Sequence, residues 1–262
     1  MKYFLLYLLI VPLSINSQTP VERLEQSPRH HEWVSIAHEN REVKGFLVYP
    51  EVADNVPVVV VIHENRGLND WARSMADQIA EAGYIALAPD LLSGTAPNGG
   101  GTESFENSDK ARTGIYNLDP EQVTADLKAT VAYSKNIAAA NGKVAVIGFC
   151  WGGSQSFRFA SNSDAIETAI VCYGTGPREE ERYSSINIPI YGFYGGNDNR
   201  VNATISQSQK TMDALGKQYE PIIYSGAGHG FFRAGESPNA SEANKKARAE
   251  AWKRLRKILA KI

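Results

Sequence analysis

Cysteine is nearly absent: Cys150 and Cys172 are the only two in 262 residues, too few to staple a fold, so the core has to come from packing. A surplus of either charge is also missing, with 27 Lys plus Arg against 29 Asp plus Glu. No basic block is longer than Lys245-Lys246, so nucleic acid is not an expected partner. There is no apolar run of the ~20 residues needed to span a bilayer; the run at 3–13 has 11. No His, Cys and carboxylate cluster stands at ligand spacing. The adjacent His30 and His31 point in different directions and read as solvated loop residues, so no metal and no cofactor is expected. The glycines from Gly94 to Gly101 lack the lysine of a phosphate loop and do not open a helix after a strand, which argues against nucleotides. What remains, with 43% hydrophobic and 21% charged residues, is a globular chain able to bury one sizeable α/β core.

At the N-terminus, Lys2, the apolar run and the small polar stretch 14–18 read as a secretory signal peptide, residues 1–17, cut near Ser17. A periplasmic or secreted protein follows from a cut; a retained membrane anchor is the alternative. Residues 18–30, polar and carrying Pro20 and Pro28, read as an extended lead-in, and 31–262 as a single domain.

Within that domain, 33–37 and 43–49 alternate as hairpin arms and predict an antiparallel edge. Val58, Val59, Val60, Val61 and Ile62 form a continuous β-branched run, suited to a strand buried on both faces. A helix is expected over 70–82, closed by Gly83, then a strand at 84–88. Residues 89–119 read as a long flexible excursion and about 120–140 as a helix. Strands are expected at 143–148, 169–173, 188–194 and 219–224, and a last helix at 241–262 with Ala247, Trp252, Leu255 and Leu259 on one face. This alternation predicts a doubly wound, mostly parallel sheet between helical layers.

The chemistry concentrates where the strand ending at Gly148 must turn into a helix. Gly148-Phe149-Cys150-Trp151-Gly152-Gly153 has the G-x-S-x-G elbow pattern with Cys in place of Ser. The glycines let strand and helix close on each other, and the helix N-terminus pulls the thiol pKa down. Asp198 and His229 each follow a predicted strand, in the order nucleophile, acid, histidine. Loops at the carboxyl ends of parallel strands converge, so the three can meet. The bland alternatives are a structural thiol, a turn-forming Asp and a solvated His.

These residues, with His63-Glu64-Asn65-Arg66-Gly67-Leu68, Ala88-Pro89-Asp90-Leu91 and His229-Gly230-Phe231-Phe232-Arg233, resemble the dienelactone hydrolase family over most of the chain. The resemblance implies an α/β-hydrolase fold of three layers and a Cys150, His229, Asp198 triad. It implies that Glu64 contacts the resting thiol and helps to form the thiolate, and that the backbone N–H groups of Trp151 and Asn65 make the oxyanion hole. Arg233 would hold a substrate carboxylate, with Arg112 as a weaker second clamp. The implied activity is hydrolysis of a small carboxylate-bearing lactone or ester through a thioester on Cys150. Another acyl substrate, or a non-catalytic binding protein on the same fold, is the alternative. Cys172 is expected to be a buried free thiol.

Overall fold

In the computed structural model, which describes residues 18–262, the chain enters with a helix where an extended lead-in was expected. Pro20–Gln26 (α1) forms because Thr19 and Glu22 cap it reciprocally: Thr19 Oγ1 accepts the Glu22 N–H, and Glu22 Oε2 accepts the Thr19 N–H. Proline at the first position needs no N–H partner there. The signal was in the sequence, as Thr-Pro-Val-Glu. The expected signal peptide, 1–17, lies outside the described residues.

His31–His38 (β1) and Arg41–Val48 (β2) make the expected hairpin, in register from His31 against Val48 to His38 against Arg41. His31 is therefore on a strand and not in a solvated loop; its Nε2 meets Asp77 Oδ1 at 2.8 Å. Val56–Ile62 (β3), Ile85–Pro89 (β4), Ala140–Phe149 (β5), Thr168–Cys172 (β6), Ile190–Gly195 (β7) and Tyr219–Tyr224 (β8) complete an eight-stranded sheet. Its order is β1-β2-β4-β3-β5-β6-β7-β8, parallel from β4 onward, with β2 antiparallel to β4. The expected fold class, a doubly wound mostly parallel sheet with an antiparallel N-terminal edge, is the observed one.

The strand period divides the core in two. On β3, Val59 and Val61 face the layer that contains Asp70–Glu81 (α2), while Val58, Val60 and Ile62 face the opposite one. The excursion at 89–119 is more ordered than expected. A 3-10 turn at Thr102–Ser104 is tied down by the Asp90 carboxylate, which accepts the Thr102 N–H and hydroxyl, each at 2.7 Å. Ser108–Tyr116 (α3) follows, capped by Asn107. Pro120–Lys135 (α4) stops short of 140, because Ala140 already pairs with Val56 as the start of β5. Trp151–Ala160 (α5) follows β5, and a single turn at Glu181–Ser184 (α6) precedes β7. Asn199–Ala214 (α7) follows β7, while Phe231–Ala234 (α8) and Glu242–Leu259 (α9) close the chain. α4, α5 and α7 pack on the Val58 side, and α9 joins α2 on the other, which makes the three layers.

Candidate active site

Sterics build the turn between β5 and α5. A Cβ on Gly148 would lie 1.9 Å from the Gly152 carbonyl oxygen, and one on Gly152 would lie 2.3 Å from that of His63. Only glycine at both positions lets the helix start this close to the sheet. Cys150, between them, is held at φ 56°, a left-handed conformation that costs a non-glycine residue energy and persists only where its surroundings impose it. Its N–H is fixed by the Cys172 carbonyl at 3.0 Å. The thiol is thereby presented at the carboxyl edge of the sheet, over the N-terminus of α5.

The two other expected residues arrive from the ends of β7 and β8. His229 Nε2 lies 3.1 Å from Cys150 Sγ, and His229 Nδ1 lies 2.5 Å from Asp198 Oδ2. Asp198 is 7% exposed and also accepts the Val201 N–H through Oδ1 at 3.4 Å, so capping α7 fixes its side chain. A carboxylate can only accept, so Nδ1 carries the histidine proton and Nε2 turns its lone pair to the thiol. The Tyr173 ring packs edge-on against the imidazole at 5.1 Å.

Burial pushes the Cys150 thiol pKa up, and the Glu64 carboxylate pushes it further. The Trp151 N–H, Arg200 and Arg233 pull the other way and do not prevail. The expected lowering by the helix N-terminus is thus present but outweighed, and the resting sulfur is a thiol.

Glu64 departs from its expected contact. Its Oε2 accepts from Arg233 Nε at 2.9 Å, whereas the hydrogen-bond partner of Cys150 is His229. Glu64 therefore acts on the sulfur through its charge and not through a hydrogen bond. Arg66, two positions on in the same loop, reaches Ser108 and Asp109 instead. Arg233 keeps 52% of its side chain exposed, with its Nη groups free of hydrogen bonds among the described residues.

A cleft of about 510 Å³ brings together Glu64, Asn65, Arg112, Cys150, Trp151, His229 and Arg233, so all the expected site residues except the buried Asp198 line one cavity. Arg112 reaches it from α3, its guanidinium 5.7 Å from the centre of the Tyr116 ring. The Asn65 side chain donates to Tyr116 Oη at 3.1 Å.

Sequence reasoning gave no site role to several residues that shape the cleft or its walls. Arg200, in the first turn of α7, and Tyr173 both line the cleft. His63 is fully buried and stacks on Trp151 with ring centres 5.6 Å apart. Its Nδ1 donates to the Glu64 carbonyl at 2.8 Å and its Nε2 accepts the Leu91 N–H at 3.3 Å. Burial drives its pKa down, so it stays neutral and pins the loop that carries Glu64 and Asn65. Its place at the start of that loop was the available signal. Cys172 is buried and free, as expected. Among the described residues no group of three His, Cys, Asp or Glu could hold a metal, and no helix is long and apolar enough to cross a membrane.

Comparison with known proteins agrees with this architecture. The model of the dienelactone hydrolase family matches residues 43–262. A protein of Synechocystis named "Putative carboxymethylenebutenolidase" is 28% identical over 236 residues, covering 86% of this chain and 94% of its own. A Bradyrhizobium protein named "Probable 2-oxo-3-(5-oxofuran-2-ylidene)propanoate lactonase" is 26% identical over 227 residues, covering 81% and 89%. Among solved structures, a dienelactone hydrolase described as putative, from Klebsiella pneumoniae, superposes with a TM-score of 0.77 at 21% identity. It covers 89% of this chain and 99% of that one, which establishes likeness of fold.

Proposed function

The chain belongs to the dienelactone hydrolase family, hydrolases acting on ester or lactone bonds, and from that premise we propose that it cleaves a small carboxylate-bearing lactone or ester through a thioester on Cys150. The observation that carries this reading is the continuous chain from Cys150 Sγ through His229 to Asp198, at 3.1 and 2.5 Å.

In the first step the thiol proton passes to His229 Nε2 while Asp198 holds Nδ1–H and stabilises the imidazolium. The sulfur forms a bond to the carbonyl carbon, and the carbonyl π pair moves to oxygen. That oxyanion is received by the N–H groups of Trp151 and Asn65. Collapse expels the alkoxide or enolate, which takes the proton from Nε2. Water, deprotonated by the same nitrogen, then cleaves the thioester and returns the thiol. An enolate is a good leaving group, which suits a sulfur nucleophile, and the exposed fork of Arg233 suits a carboxylate on the substrate. The raised thiol pKa supports a resting sulfur that is protonated and slow to oxidise until substrate disturbs the Glu64–Arg233 pair. Export through residues 1–17 is part of the proposal, supported by their composition.

The test is turnover of a dienelactone and of activated aryl esters by the purified protein and by Cys150→Ala, with intact mass read for an acyl adduct. Turnover that disappears in the variant, with an adduct on the wild-type protein alone, is the expected result. No turnover and no adduct from a folded protein with a titratable Cys150 would overturn it and leave another acyl substrate or a binding role.

A further inference from the structure

Three guanidiniums, those of Arg112, Arg200 and Arg233, line the cleft around Cys150 against a single carboxylate, Glu64. Arg233 answers Glu64 through Nε. Arg112 lies against the Tyr116 ring. The Arg200 side chain forms no hydrogen bond, ion pair or ring contact with any described residue.

Arg200 stands in the first turn of α7, a helix of 16 residues with no acidic residue in that turn. The acid at that helix end is the N-cap Asp198, whose carboxylate is engaged by His229 and the Val201 N–H and makes no ion pair with Arg200. The side chain is exposed, so core packing does not require it. Its charge is nevertheless felt at the reacting atom, where with Arg233 it favours the Cys150 thiolate. An exposed guanidinium that lines the same cleft as Cys150 and makes no ion pair is open to an incoming anion.

We propose that Arg200 is a specificity residue that receives a second carboxylate, so that the preferred substrates are esters or lactones carrying two free carboxylates, one for Arg233 and one for Arg200. The inference rests on the hydrolytic reading for the word substrate; the anion subsite itself does not. The planar fork binds both oxygens of a carboxylate at once. In a cleft open to water such a contact is screened, so discrimination of about tenfold is expected rather than an absolute requirement.

Two measurements separate the subsite from the chemistry. The first compares kcat/KM for 4-carboxyphenyl butyrate, with one carboxylate, and mono(4-carboxyphenyl) glutarate, with two, in the wild type, Arg200→Gln and Arg200→Lys. The wild type should favour the glutarate ester by about tenfold, Arg200→Gln should erase the ratio, and Arg200→Lys should retain part of it. The second measures protection of the Cys150 thiol from neutral iodoacetamide by glutarate and by butyrate, which needs no turnover. Glutarate should protect at the lower concentration, and the gap should close in Arg200→Gln. A wild type without preference in either measurement, or a preference that survives Arg200→Gln, overturns the proposal. Turnover of neither ester alongside intact charge-dependent protection sinks the hydrolytic reading and upholds the subsite.

Discussion

His31 meets Asp77 at 2.8 Å and His229 meets Asp198 at 2.5 Å, the same two residue types in two very different settings. Asp77 is fully buried and saturated: Arg29 donates to it through Nε at 2.9 Å and Nη2 at 2.8 Å, and the Ser27 hydroxyl at 2.5 Å. Its charge is spent on holding the segment after α1 against α2. The His31 ring packs on Phe46, 5.2 Å between centres. Asp198 has no arginine or lysine ion pair among the described residues, only His229 and a helix-capping N–H. Its full charge is available to an imidazolium, and the far nitrogen of that imidazole faces a thiol. A histidine–aspartate pair is therefore not a site in itself. The absence of a competing cation and the group at the free ring nitrogen make the difference.

The sharpest way to break this contrast is to remove the charge of each aspartate while keeping its shape. Asp198→Asn can donate to Nδ1 and force the histidine proton onto Nε2, where it blocks transfer from the thiol. The expected loss in kcat is on the order of 10² to 10⁴, with the thermal midpoint little changed, checked by steady-state kinetics and a melting curve.

Asp77→Asn should do the reverse. Leaving Arg29 and His31 without the buried carboxylate is expected to cost about 3 kcal/mol in a denaturant titration, while kcat stays near the wild-type value. The same pair has a pH signature. Burial pushes the Asp77 pKa up, but the bonds from Arg29, Ser27 and His31 prevail and hold it below the usual aspartate range. A depressed folded pKa contributes stability that is present above the unfolded value and is lost as pH falls through the folded one. The wild type should thus lose stability more steeply than Asp77→Asn as pH falls below about 4.

The smallest effect sharpens the electrostatics of the cleft. Glu64→Gln removes the carboxylate that holds the thiol up and frees the Arg233 charge beside it. The iodoacetamide reaction of Cys150 at pH 7 should speed up by about threefold to tenfold, and the midpoint of its pH profile should move down. An unchanged rate would remove Glu64 from any part in thiol protection.

How much of this was legible depended on the range of the interaction. The glycines around Cys150 could be read because a steric demand between adjacent elements leaves a local mark. Asp198 and His229 could be read because parallel strands deliver their following loops to one edge. The Asp77 cluster left no mark, since Ser27, Arg29 and His31 stand about fifty positions from it, and nothing local distinguishes a histidine that will meet a buried acid. Arg200 looked like one more surface cation, because its lack of a partner is a property of the whole cleft. α1 was legible in Thr19 and Glu22, but the two prolines around it argued louder for an extended chain.

The sequence by itself determined the alternation of strands and helices, the parallel sheet with its antiparallel edge, and the three residues brought together at its carboxyl end. Those are consequences of periodicity, glycine sterics and strand order, which act over a few residues at a time. Only the tertiary structure decided that Glu64 is held by Arg233 rather than by the thiol, that Cys150 rests protonated toward His229, and that Arg200 lines the cleft without an ion pair. Charges choose their partners by distance and burial in three dimensions, and neither is written in the spacing of residues along the chain.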